Sequence, residues 1–173
     1  MKVVLITGAA RGIGAATARA FAKAGYTVII NWHTSQVAAE RLRDELIGGG
    51  GDAHLYQADV SNTAEVAAMF QWIAKYFKRL DVLVNNAGVA LTALCQDVAE
   101  ADYDRVMDVN AKGTFVCCQH AVPLFLHQGG GAIVNVASIW GLSGASCESV
   151  YAMSKHAVVG LNISHHGFPE TDR

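Results

Sequence analysis

Five short apolar runs punctuate the chain: Val3-Val4-Leu5-Ile6, Thr27-Val28-Ile29-Ile30, the weaker Ala53-His54-Leu55-Tyr56-Gln57-Ala58, Val82-Leu83-Val84, and Ala132-Ile133-Val134-Asn135-Val136. They are rich in Val and Ile and lack the alternation of a strand with one wet face. That pattern predicts strands buried on both faces, as in a parallel sheet. The gaps carry helical spacing. Ile13 to Lys23 is Ala-rich and is followed by Gly25, a natural C-terminal cap. Gln36 to Leu46 keeps its charges on one face and runs into Gly48-Gly49-Gly50-Gly51, read as a helix-to-strand turn. Thr63 to Phe77 places Val66, Phe70, Ile73 and Phe77 on one face, after the candidate caps Ser61 and Asn62. Asp102 to Leu126 reads as one long helix with an acidic start, and Val150 to about Ile163 as another. Strands alternating with helices predict right-handed βαβ units and a doubly wound α/β sheet. There is no internal repeat and no linker.

Composition narrows the picture. The 173 residues suit one domain, and 52% hydrophobic against 16% charged residues excludes a disordered chain. The net charge of -2 offers no basic excess for nucleic acid or an anionic membrane. No Asp, Glu, Lys or Arg occurs from Gly113 to Cys147, but Gln119, His120, Pro123, His127, Gln128 and Gly129-Gly130-Gly131 interrupt that stretch. It reads as a buried helix, a turn and a buried strand rather than a membrane span. The apolar start before Arg11 is too short for a signal peptide, so a cytoplasmic location is expected. Cys95, Cys117, Cys118 and Cys147 have no metal-type spacing and read as small hydrophobes, and no metal is expected.

The chemistry begins directly after the first strand. Thr7-Gly8-Ala9-Ala10-Arg11-Gly12-Ile13-Gly14 opens a helix, with glycines spaced GxxxGxG. Missing side chains let backbone approach a pyrophosphate, and a helix N-terminus supplies free N–H groups and partial positive charge. The bland alternative is a tight strand–helix turn. An acidic residue at the end of the second strand usually takes a ribose 2′-OH, whereas a cation favours a 2′-phosphate. Here Asn31-Trp32-His33-Thr34-Ser35 holds no carboxylate, and Arg11 stands in the glycine loop. This favours NADP and leaves NAD open. Asp59-Val60 and Asn85-Asn86-Ala87-Gly88 close the third and fourth strands, at the strand ends where open α/β sheets bind ligands.

Near the C-terminus stands Tyr151-Ala152-Met153-Ser154-Lys155. Positions four apart share a helix face, so phenol and ammonium can project into one site. A free tyrosine titrates near pH ~10, and bringing such a group to pH 7 requires about 4 kcal/mol, which a nearby cation helps supply. Ser138 follows the fifth strand, where a hydroxyl could hydrogen-bond a substrate oxygen. Asn110 lies inside the long helix and needs a partner there, a water or a helix carbonyl. Each of these has an ordinary structural explanation. Their conjunction points to a reaction site.

Together these residues resemble the short-chain dehydrogenase/reductase family: Thr7-Gly8 to Gly14, Asp59-Val60, Asn86-Ala87-Gly88, Asn110, Ser138, and Tyr151 with Lys155, in family order over about residues 2–161. Ser138-Ile139-Trp140-Gly141 and Gly144 to Glu148 more weakly resemble 3-oxoacyl-carrier-protein reductase-like members. The resemblance implies a Rossmann-like sheet of strand order 3-2-1-4-5 in a dinucleotide-binding domain over residues 1–161. It implies an NADP(H)-dependent oxidoreductase moving hydride between nicotinamide and a carbonyl or secondary alcohol, with a 3-oxoacyl thioester among the candidates. Tyr151 would exchange the proton, Lys155 would assist it and hold the nicotinamide ribose, Ser138 would orient the carbonyl, and Asn110 would hold a relay water. Gly8, Gly12, Ile13 and Gly14 would cradle the pyrophosphate, and Asp59 and Val60 would flank the adenine. Asn86, Ala87 and Gly88 would line the cleft, and Arg11 and His33 would meet the 2′-phosphate. His33 stands where family members often carry arginine.

Residues 162–173 form an atypical tail with little apolar periodicity. Family members usually continue into further strands and a substrate loop, so a sheet without its final strands is expected. Three readings stay open: a truncated reductase, a catalytically impaired dinucleotide-binding or interaction module, or a sequence lacking further residues. His165-His166 is not taken as a metal pair. A sheet ending at the fifth strand would leave an apolar edge, so self-association is expected.

Overall fold

The computed structural model describes residues 1–165, the last three by backbone alone. Five parallel strands form one sheet: β1 (Val3–Ile6), β2 (Thr27–Trp32), β3 (Asp52–Gln57), β4 (Val82–Asn85) and β5 (Ala132–Asn135), in the order β3-β2-β1-β4-β5. The helices are α1 (Gly12–Lys23), α2 (Gln36–Gly48), α3 (Thr63–Tyr76), α4 (Glu100–Met107), α5 (Gly113–Gln128) and α6 (Ser149–His165). The doubly wound α/β sheet and its strand order are as the sequence led one to expect.

The two faces of the sheet follow from the strand period of two. Val4, Ile6, Val28, Ile30, Val82 and Val84 pack with Ala15 and Ala18 of α1 and with Ala39, Leu42 and Leu46 of α2. Leu5, Ile29 and Leu83 point the other way, against Val66, Met69, Phe70 and Ile73 of α3 and Val116, Cys117, Ala121 and Phe125 of α5. Burying each such aliphatic side chain contributes roughly 1.5–3 kcal/mol. This is why β1, β2 and β4 have no polar alternation: both faces are core. Cys117 and Cys118 belong to the α5 packing, and burial pushes their thiols up to about 12 and about 11.

Element ends follow local chemistry. Asn62 caps α3, its Oδ1 accepting from the N–H groups of Ala64 and Glu65. Gly25 and Gly50 follow α1 and α2 with φ of +80° and +83°, the left-handed conformation that glycine adopts without strain. One expectation differs. The long helix expected over 102–126 is α4 and α5 joined by a π-helical turn, Asp108–Lys112, centred on Asn110. The last helix runs to His165, close to its expected end near Ile163, and residues 166–173 lie outside the described residues. The His165-His166 pair, not taken as metal ligands, is outside them as well, because no side chain is described at 165. Among the described residues β5 is an edge strand, with Val134 49% exposed. No helix among them is long and apolar enough to cross a membrane.

Candidate active site

The carboxyl ends of β1, β2 and β4 and the segment after β3 enclose a cleft of about 380 Å³. Its walls include Gly8, Arg11, Gly12, Ile13, His33, Asp59, Val60, Asn86, Ala87 and Gly88, all singled out in the sequence, together with Asn31, Trp32 and Ser35. The sheet topology produces this gathering, because β1 sits centrally and its neighbours β2 and β4 diverge beyond it.

Backbone clamps hold the glycine loop open. Thr7 Oγ1 accepts from the N–H groups of Asn86 and Ala87, both at 3.0 Å. In return Asn86 Nδ2 donates to the carbonyls of Thr7 and Gly8 at 2.9 and 3.1 Å. Asn31, only 1% exposed, accepts from Gly8 N–H and donates to Ala58 O, which ties the loop to both β2 and the segment after β3. The glycines divide the work. Gly12 has φ +56°, and a Cβ there would meet nothing within 4 Å, so its open side leaves room beside the start of α1. A Cβ on Gly14 would lie 2.5 Å from Asn86 Nδ2 and 2.8 Å from Ala9 Cα. The missing Cβ of Gly14 lets α1 pack against the loop. At the start of α1 the Ala15 N–H bonds back to Arg11 O, and no side chain caps the turn. The first N–H groups of a helix have no intrahelical partner, and Gly12 brings no Cβ to that side, a surround that suits an anionic group such as a nucleotide's phosphates.

Where the segments after β2 and β3 meet, His33 Nδ1 stands 3.7 Å from Asp59 Oδ2. Burial alone would raise the Asp59 carboxyl, but the bonds from Ser61 and the neighbouring His33 hold it below the usual carboxylate range.

Asn110, Ser138, Tyr151 and Lys155 are carried by α6, the π-helical turn and the segment after β5. Lys155 is 5% exposed, its Nζ donates to Val136 O at 2.9 Å, and Nζ lies 5.8 Å from the Tyr151 ring centroid. Burial pushes its ammonium below the ordinary value. Asn110 is fully buried: its Oδ1 accepts from Val89 N–H, and its Nδ2 donates to Val89 O and Ser154 Oγ. Both amide protons are therefore engaged, and its main-chain carbonyl accepts from Thr114 Oγ1 at 2.7 Å. A relay water on Asn110 would bond to a remaining lone pair of Oδ1 or of the main-chain carbonyl, each of which accepts one protein donor. Ser138 Oγ accepts from Trp140 N–H at 3.2 Å and opens a 3-10 turn, Ile139–Gly141. That turn packs on α6 so closely that a Cβ on Gly141 would lie 2.8 Å from Lys155 O. Gly88 connects the two ends: a Cβ there would lie 3.3 Å from Asn110 Oδ1 and 3.6 Å from Lys155 Nζ.

Three contributors were not singled out from the sequence. Asn31 and Thr7 clamp the glycine loop, and Ser154 joins α6 to Asn110 while donating to Tyr151 O at 2.7 Å. For Asn31 a signal existed, a polar residue closing an apolar strand. For Ser154 there was none, because its partner is 44 residues away.

Comparison with known proteins supports this arrangement. Residues 2–166 match the family described as short chain dehydrogenase. The chain is 40% identical over 163 residues to 3-oxoacyl-acyl-carrier-protein reductase FabG of Staphylococcus aureus, covering 94% of this chain and 66% of that protein. It is 39% identical over 160 residues to the 3-oxoacyl-acyl-carrier-protein reductase of Synechocystis, covering 92% and 65%. The chain thus spans just under two thirds of the length of these relatives. It superposes with a TM-score of 0.91 on the crystal structure of a metagenomic short-chain oxidoreductase in complex with NADP, at 30% identity over 95% of this chain and 74% of that one. With the match running through the glycine loop, the strand-end clamps and the Tyr151–Lys155 helix alike, the chain belongs to the short-chain dehydrogenase family.

Proposed function

We propose that residues 1–161 carry an NADP(H)-dependent oxidoreductase site acting on a carbonyl or secondary alcohol. The observation that carries this reading is the convergence at Gly88, where the glycine-lined cleft meets a buried lysine and its phenol neighbour on α6. When bound, a nicotinamide dinucleotide supplies or accepts the hydride. The protein's own residues manage binding and the proton. The Tyr151 hydroxyl gives its proton to the substrate oxygen in reduction and takes it back in oxidation. The Lys155 ammonium favours the phenolate by charge, and its bond to Val136 O fixes it in position. Ser138 Oγ accepts from Trp140 N–H and keeps its own O–H free to donate to the substrate oxygen. Asn110 holds the segment after β4 against α6 and so keeps Gly88 and Lys155 in register. At the other end the N–H groups at the start of α1 meet the pyrophosphate, Asp59 and Val60 flank the adenine, and Arg11 and His33 meet the 2′-phosphate.

The names of the relatives make a 3-oxoacyl thioester the first substrate to test. The exposed Phe115 and Leu126 on α5 support a homo-oligomer. The test combines fluorescence titration with NADPH and a turnover assay on ketones and a 3-oxoacyl thioester. Tyr151→Phe should keep nucleotide affinity and lower turnover by at least ~100-fold. Binding without turnover in the parent chain would make it a cofactor-binding module instead. Absence of nucleotide binding would overturn the proposal.

A further inference from the structure

A row of three side-chain amides joins β4, β5 and α6. Asn85 and Asn135 close their strands and stand opposite each other in the β4–β5 register. Asn85 Nδ2 donates to Asn135 Oδ1 at 2.8 Å and to Cys118 Sγ at 3.3 Å, and Asn135 Nδ2 donates to Asn162 Oδ1 at 2.7 Å. Asn85 is 4% exposed, and its Oδ1 is buried with no hydrogen-bond partner among the described residues. That orphan sets the direction of the row. Turning every amide round would strand a buried N–H instead, and proteins tolerate an orphaned N–H less readily than an orphaned carbonyl oxygen. Asn162 stands first in the stretch that the sequence marks as an atypical tail, and in this row it is the terminal acceptor.

The main chain beside this row holds Lys155. Val136 N–H donates to Asn85 O at 2.9 Å, and Val136 O accepts from Lys155 Nζ at 2.9 Å. Lys155 and Asn162 are seven positions apart on α6, nearly two full turns, and so share one helix face. Residues 135 and 136 therefore reach that face at two points, by a main-chain carbonyl at Lys155 and by a side chain at Asn162. The second point matters because β5 is an edge strand. β4 holds it on one side, and no strand pairs with it on the other among the described residues.

We infer that Asn135 and Asn162 are positioning residues for the reaction: by fastening the end of β5 to α6 they fix the Val136 carbonyl that holds the Lys155 ammonium beside Tyr151. This rests on the oxidoreductase reading above and adds two residues to it. Without the Asn162 acceptor, Asn135 Nδ2 loses its partner and the end of β5 is held by β4 and the Lys155 bond alone. The Val136 carbonyl then takes a range of positions, and the ammonium follows it. Lys155 is 5% exposed and burial already disfavours its charge, so the carbonyl is a partner it cannot readily exchange for water. Nζ lies 5.8 Å from the Tyr151 ring centroid, and an ammonium that wanders from there stabilises the developing phenolate less. The two amides act only through Val136 and Lys155.

The test compares Asn162→Ala with Asn162→Asp. Aspartate keeps an acceptor for Asn135 Nδ2, and alanine removes it. Hydrogen exchange of the Val136 amide should quicken by about tenfold in Asn162→Ala, the order of one lost hydrogen bond, and return to the parent rate in Asn162→Asp. The amides of β1 should stay within about twofold in both, which separates local loosening from global unfolding. In ketone reduction Asn162→Ala should lower kcat by about tenfold with NADPH affinity within about threefold, and Asn162→Asp should restore kcat. Asn135→Ala should also be slow, and adding Asn162→Ala to it should lower kcat no further, because both act on one bond. A purely structural role would lower the unfolding midpoint without separating kcat from affinity or alanine from aspartate. Unchanged Val136 exchange in Asn162→Ala, a kcat within about twofold of the parent, or an aspartate variant as slow as alanine overturns the inference. A parent chain without turnover overturns the oxidoreductase reading and this role with it, while the exchange data still show whether β5 is fastened to α6.

Discussion

Gly12 and Gly14 stand two positions apart and are needed for different reasons, which gives them separable phenotypes. Gly14→Ala would drive a methyl onto Ala9 Cα and the Asn86 amide that clamps the loop. Its expected cost is roughly 1–3 kcal/mol, read as a lowered urea midpoint. Gly12→Ala meets no atom and bears only the strain of φ +56°, about 1 kcal/mol, but it places a methyl on the open side beside the start of α1. It should lose nucleotide affinity while remaining the more stable of the two variants. The sequence marked both as one phosphate cradle, because spacing identifies a glycine without saying which side of it is occupied. Asn110 makes the same point. Its burial and need for a partner were legible, but the partners, Val89 and Ser154, lie on segments distant in the chain.

Helix α3 owes its position to a cap that the sequence displays. Asn62→Ala removes the acceptor for the Ala64 and Glu65 N–H groups and should cost about 1 kcal/mol in equilibrium unfolding. The turn before β4 adds a pH-dependent tie. Asp81 accepts from Val3 N–H on β1 and from the Arg79 guanidinium. Burial works to raise its carboxyl, but Arg79, the Val3 bond and Lys2 more than offset this and hold it below the usual carboxylate range. The folded value thus lies under the unfolded one, so the stabilisation is present at neutral pH and is lost as pH falls through the folded value. Asp81→Asn should lower the unfolding midpoint at pH 7, and its difference from the parent should shrink below about pH 4. The division of the helical path between α4 and α5 had no such sequence signal. A π-helical turn depends on what its residues touch, here the anchorage of Asn110 to neighbouring segments.

The sheet is asymmetric in what covers it. β1, β2 and β4 are buried, whereas β5 is an edge among the described residues, with Val134, Ile139 and Leu142 exposed at 49%, 68% and 75%. An unpaired strand edge beside apolar side chains is a template for pairing with another chain. The 173-residue chain should therefore self-associate at micromolar concentration in sedimentation velocity, and Val134→Lys should reduce it. A monodisperse monomer for the parent chain would count against this. Apolar runs alone did not distinguish β5 from the other strands, since they report the capacity for burial and not whether a neighbour is present.

Local physics made several features readable without coordinates. Unalternating Val and Ile runs marked the two-sided burial of β1, β2 and β4, and strand–helix alternation marked the parallel crossovers. Glycine spacing after β1 marks close backbone approach, and the Tyr151–Lys155 interval sets one helix face. These depend on residues within a few positions of each other. The tertiary structure alone decided which strand ends meet, that Asp59 after β3 lies beside His33 after β2, that Gly14 packs while Gly12 opens, and that Gly88 joins the cleft to Lys155. Such pairings join residues far apart in the chain. Their geometry is set when both faces of the sheet are buried at once, which no local window of sequence contains.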